Sequence, residues 1–87
     1  MTLSTKQFQE TLVKILTVGE ELGFSAVELT AGSLHRRVGG YPGKDHRMPA
    51  CCAAMRQAMG PGDDLLSAPP SGNGATLTVR YRLPRQS

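Results

Sequence analysis

Met48-Pro49-Ala50-Cys51-Cys52-Ala53-Ala54-Met55-Arg56-Gln57-Ala58-Met59 is closed by Gly60-Pro61-Gly62 and followed by Asp64-Leu65-Leu66-Ser67-Ala68, a Pro69-Pro70-Ser71-Gly72-Asn73-Gly74 tip and a run ending at Leu83. The first block reads as a helix over 49–59. Pro49 suits the first helical position, where its missing N–H would have no intrahelical partner. Met48, Cys52, Met55 and Met59, spaced four, three and four apart, form the inward face, while Ala50, Ala53, Arg56 and Gln57 fall outward. In the last block Leu77, Val79, Tyr81 and Leu83 alternate with Thr76, Thr78, Arg80 and Arg82, the period of a half-buried strand. The tip is too rich in Pro and Gly to be anything but a loop. A reversal at Gly60 to Gly62 therefore sets a β-hairpin over 64–83 beside the helix.

Upstream, Ser4-Thr5-Lys6-Gln7 has the spacing of a capping box and opens a helix over 5–22. Phe8, Leu12, Ile15, Leu16 and Leu22 form its apolar face, and Gly23 is the C-cap. Gly19 costs up to about 1 kcal/mol inside a helix and marks a close helix crossing or an early end. Phe24 to Leu29 is a brief strand or an extended connector. Thr30 is the N-cap of a two-turn helix over 31–38, with Ala31, Leu34, His35 and Val38 inward and Ser33, Arg36 and Arg37 outward. The pattern is that of one α+β domain, 1–87, with three helices and a C-terminal β-hairpin.

Charge is unevenly divided. Lys6 and Lys14 against Glu10, Glu20, Glu21 and Glu28 leave residues 1–30 with two excess negative charges. Eight basic residues against Asp45, Asp63 and Asp64 leave 31–87 with five excess positive charges, and seven of those eight are Arg. Arg grips phosphate or a guanine edge bidentately where Lys offers a point charge. In so small a domain a deep pocket is hard to enclose, so the expectation is a binding module and not an enzyme.

Helix, turn, basic helix and hairpin together resemble a winged helix-turn-helix domain, from the Ser4 cap to Leu83. The resemblance is one of pattern, with no family-specific motif. It implies that 49–59 is a recognition helix and 64–83 a wing, and that double-stranded DNA is the partner. Ala53, Arg56 and Gln57 would then enter the major groove, where small residues touch thymine methyls and Arg and Gln suit guanine and adenine. Arg36, Arg37, Lys44, Arg47, Arg80 and Arg82 would clamp the phosphate backbone. The link 39–47 is longer than that family's usual turn, which leaves open whether Lys44, His46 and Arg47 reach DNA. The implied role is a small transcription regulator or the recognition domain of a larger protein such as a nuclease, pairing as a homodimer through its first helix. The rival expectation is a protein-protein interaction module, or an inhibitor of a nucleic-acid machine, on the same scaffold.

Other chemistries fit less well. Gly39-Gly40-Tyr41-Pro42-Gly43-Lys44-Asp45 departs from a P-loop, because Asp45 stands where Ser or Thr would hold magnesium and a helix precedes it. Adjacent Cys51 and Cys52 lack the gap that lets two thiolates converge on zinc, so no metal or cofactor is expected. They read instead as small buried side chains in a reduced, cytoplasmic setting. No apolar run approaches a membrane span. With only Phe8, Phe24, Tyr41 and Tyr81 as aromatics, stacked single-stranded RNA is a poor fit.

Overall fold

A computed structural model describes residues 5–39, 47–70 and 72–85. The Ser4 cap, most of the 39–47 link with Lys44 and His46, and Ser71 of the hairpin tip lie outside the described residues. The chain runs α1 (Thr5–Glu21), β1 (Ala26–Thr30), α2 (Ala31–Val38), α3 (Met48–Gln57), β2 (Asp64–Ser67) and β3 (Thr78–Arg82). Among the described residues this is an α+β arrangement of three helices and a three-stranded antiparallel sheet, ordered β1-β3-β2. Such a layout is compatible with a winged helix. The segment left open as strand or connector is a strand, because its backbone groups find the free edge of β3, from Ala26 opposite Arg82 to Thr30 opposite Thr78.

One face of β3 closes the core. Val79 and Tyr81 are fully buried, as are the flanking Leu77 and nearly so Leu83, against Phe8, Leu12, Leu34, Cys51, Cys52 and Met55 from the helices. The Tyr81 hydroxyl donates to the Met55 carbonyl at 2.9 Å, so the one large polar group in this layer is satisfied. His35 is fully buried too: its ring meets Phe8 edge-on at 4.9 Å, and its Nε2 accepts from the Arg47 backbone N–H at 2.8 Å. That bond ties the body of α2 to the start of α3. Thr30 caps α2 by accepting from the Ser33 N–H at 3.1 Å. The next two helical N–H groups, Ala31 and Gly32, donate to the carbonyls of Leu77 and Ala75, so residues just ahead of β3 also terminate α2.

Two helix ends differ from the sequence reading. Leu22, expected on the buried face, is exposed, because α1 stops at Glu21 and Gly23 turns the chain away at φ 82°, a conformation that disfavours any side chain. Helix α3 ends at Gln57, which leaves Met59 beyond it and only partly buried. Cys51 and Ala54 join its buried face, so the inward arc is wider than the methionine spacing implied.

Gly19 is where the sheet comes closest to α1, and the approach is not a helix crossing. A Cβ there would stand 2.9 Å from Leu83 Cδ1 and 3.0 Å from Val27 Cγ2. Gly19→Val should therefore destabilise the fold by about 1–3 kcal/mol through overpacking. Gly19→Ala should lie nearer neutral, since the helix gains about 1 kcal/mol over Gly. Urea unfolding midpoints measure both, and a Gly19→Val protein as stable as wild type would show that α1 can retreat from the sheet.

Candidate nucleic-acid interface

The outward surface of α3 is built from Pro49, Ala53 and Arg56, which follow one another four and three residues apart and so share a face. Pro49 and Arg56 are exposed and Ala53 is half-buried. Arg56 stands at the edge nearest the hairpin. Its guanidinium donates to Asn73 Oδ1 at 3.1 Å and to the Gly72 carbonyl, in the loop between β2 and β3. One turn earlier on the buried side, Cys52 Sγ accepts from the Gly74 N–H at 3.4 Å. The loop is thus fastened to α3 at two levels, one polar and exposed, the other buried.

The sequence-expected residues divide among several surfaces. Arg47 is exposed at the N-cap of α3, at the same end as Pro49. Arg36 follows Gly32 by four residues and so lies on the side of α2 where Gly32 packs on Ala75, toward the hairpin. Arg37 turns the other way, into a groove with Thr11, Lys14, Ile15 and Val18 of α1. Gln57 accepts from Gln9 Nε2 at 2.6 Å and borders a cavity of about 470 Å³ with Leu12 and Leu16 of α1. Arg80 and Arg82 alternate with the buried Val79 and Tyr81, so they occupy the face of the sheet opposite α3. There Arg80 sits 3.7 Å from both Glu28 and Asp64, while the stem of Arg82 covers Gly62. Ala53 and Arg56 share the outward face of α3 and Arg36 lies on the hairpin side of α2; Arg47 stands apart at the N-terminal end of α3, and Gln57, Arg37, Arg80 and Arg82 lie on other surfaces. Lys44 lies outside the described residues.

Arg85 is a positioning residue that sequence reasoning missed, since the alternating run ends at Leu83. It donates to Asp63 Oδ1 at 2.7 Å, to the Ala58 carbonyl at the end of α3 at 2.7 Å, and to the Arg82 carbonyl at 3.2 Å. Its guanidinium also lies 5.5 Å from the centre of the Tyr81 ring. Asp63 in turn accepts from the backbone N–H groups of Gly60 and Arg82, both at 2.8 Å. The carboxylate therefore joins the turn after α3, the end of β3 and the C-terminal segment. The turn-rich Gly60-Pro61-Gly62-Asp63 was the only local signal of this joint.

Burial alone would push the Asp63 carboxyl up, but the bonds from Arg85, Arg82 and Gly60, aided by the Arg85 charge, together hold it below the ordinary carboxylate range. The bond to Asp63 likewise raises Arg85. Burial and then the neighbouring Cys52 push the Cys51 thiol up to about 12, so it stays protonated and unreactive. Among the described residues no group of three or more His, Cys, Asp or Glu side chains is arranged to hold a metal ion. Nor, among them, is any helix long and apolar enough to cross a membrane.

Compared with protein-family models, with curated proteins and with solved structures, the chain finds no match.

The Asp63 joint has a pH signature. Its folded pKa lies below the unfolded value near 3.9, so its contribution is fully present above about pH 4 and is lost as pH falls through the folded value. Asp63→Asn should be less stable than wild type by about 1–3 kcal/mol at neutral pH, and the gap should narrow in acid. Urea titrations at a series of pH values test this; a gap independent of pH would mean that the negative charge is not what holds the joint.

Proposed function

We propose that this domain binds double-stranded DNA as a winged-helix module. The outward stripe of α3 enters the major groove and the β2–β3 hairpin follows the adjacent backbone. The observation that carries this reading is the Arg56 clamp on Gly72 and Asn73, which fastens a Gly-rich loop beside a helix face of small residues. Small side chains let a helix sit deep, and Ala53 is suited to a thymine methyl. Arg56 uses part of its donor set on the loop and keeps the rest for a guanine edge or a phosphate. Arg36 and Arg47, both exposed, are two of the phosphate contacts, and Lys44 of the preceding link is the third. Gln57 reads an adenine only if it leaves Gln9. Arg37, Arg80 and Arg82 contribute through the overall positive field rather than beside α3.

On this reading the domain serves a transcription regulator, or is the DNA-recognition part of a larger protein such as a nuclease, and performs no chemistry itself. Sequence is read by few side chains, so phosphate contacts supply most of the affinity.

Titration of a fluorescent random-sequence duplex at several salt concentrations tests the proposal. Three phosphate contacts predict that log K falls with log salt at a slope of about −3. Arg36→Glu with Arg56→Glu should abolish binding in a domain that stays folded, whereas Arg80→Glu should weaken it far less. Absence of binding at low salt, or full affinity in the Arg36 and Arg56 double variant, would overturn the reading.

A further inference from the structure

Helix α1 buries one face and leaves a second apolar stripe outside. Thr11, Ile15, Val18 and Leu22 succeed one another at intervals of four, three and four, the spacing of a helix-pairing seam. Ile15 is half-buried, but Val18 is 52% and Leu22 64% exposed. The stripe borders a groove of about 480 Å³ lined by Thr11, Lys14, Ile15, Val18 and Arg37. At the same end of α1, Phe24 is 56% exposed, its backbone N–H bonded to the Gly19 carbonyl. Lone exposed apolar residues are ordinary, whereas Val18, Leu22 and Phe24 together, with the half-buried Ile15 beside them, make an apolar patch at the C-terminal end of α1.

The charges beside the stripe indicate what covers it. Lys14 and Glu21, both exposed and two helical turns apart, flank Val18 on the same side of α1. We infer that the stripe is the seam of a homodimer in which two α1 helices pack antiparallel about a two-fold axis beside Val18. In that arrangement Lys14 of each copy faces Glu21 of the other, and Ile15 and Leu22 fill the layers on either side of Val18. In a parallel pairing the equivalent flanks lie on opposite sides of the seam, and Lys14 and Glu21 would face no complementary charge. The surface is therefore complementary to itself in one orientation, as a two-fold interface requires. Helix α1 has 17 residues, a length of about 25 Å, so the seam lies at the small end of stable interfaces and the dimer is weak. Gln9, which meets Gln57 of α3, lies on the other flank of α1, and the seam leaves the outward stripe of α3 uncovered. The inference is independent of DNA binding.

Sedimentation of the whole chain without DNA, at protein concentrations up to roughly 0.5 mM, tests it. Wild type should pass from monomer to dimer with rising concentration. Val18→Glu should weaken association by at least about tenfold, because two carboxylates would meet at the axis. Lys14→Glu should also weaken it, and Lys14→Glu combined with Glu21→Lys should restore it to within a fewfold of wild type. These side chains are exposed, so circular dichroism should show each variant folded. A wild type that stays monomeric throughout, a Val18→Glu protein that dimerises like wild type, or a charge swap that fails to restore association would each overturn the inference.

Discussion

The Asp63 carboxylate is the constraint on which the rest of the structure turns. Its oxygens collect backbone N–H groups from the turn after α3 and from β3, together with the Arg85 guanidinium. Arg85 then reaches the last carbonyls of α3 through Ala58. Without this joint, the turn of two glycines and a proline that ends α3 would lose the bonds that fix it to the end of β3. With it, the direction in which the hairpin leaves α3 is fixed by charge-assisted bonds on a largely buried acid, a stronger device than an exposed ion pair. The outer face of the sheet offers the contrast: Arg80, between Glu28 and Asp64 and open to water, adds little by comparison.

Helix α3 and the hairpin consequently behave as one body. Tyr81 bonds to Met55, Cys52 to Gly74, and Arg56 to Gly72 and Asn73, so contacts run from the base of the hairpin to its loop. A helix and loop held in fixed relation present a preorganised surface to a ligand, which reduces the ordering cost of binding. The same preorganisation would serve a protein partner as well as a duplex. Nucleic acid is proposed over protein because of the arginines near α3 and the small side chains of its outward face.

How far the sequence could be read depended on the range of the interaction. The alternation of Leu77, Val79, Tyr81 and Leu83, and the Thr30 cap, are local patterns, and a period or a cap is visible in a handful of neighbouring residues. Gly19 was flagged as a close approach, but its neighbours Val27 and Leu83 come from a strand and a tail that no helical periodicity could indicate. The candidate site was legible as residue types and helical phase, not as neighbours. Phase put Gln57 outward, yet Gln9 of α1 reaches it; alternation put Arg80 outward, but outward from the sheet is the side away from α3. Arg85 carried no local signal at all, since its importance arises from Asp63 and Ala58, more than twenty residues earlier in the chain.

The strand order has a consequence for how the molecule comes into being. The central strand, β3, is the last to be synthesised, and it pairs with β1 across nearly the whole intervening chain. Until β3 is available, α1, α2 and α3 lack the floor they pack on, and the Leu77 and Ala75 carbonyls that accept from the first turn of α2 are missing. The closing loop is long, but its entropy grows only slowly with length. The domain therefore completes its fold only once β3 is free to pair, and a chain cut short of Tyr81 keeps helical segments without the strand that closes their core.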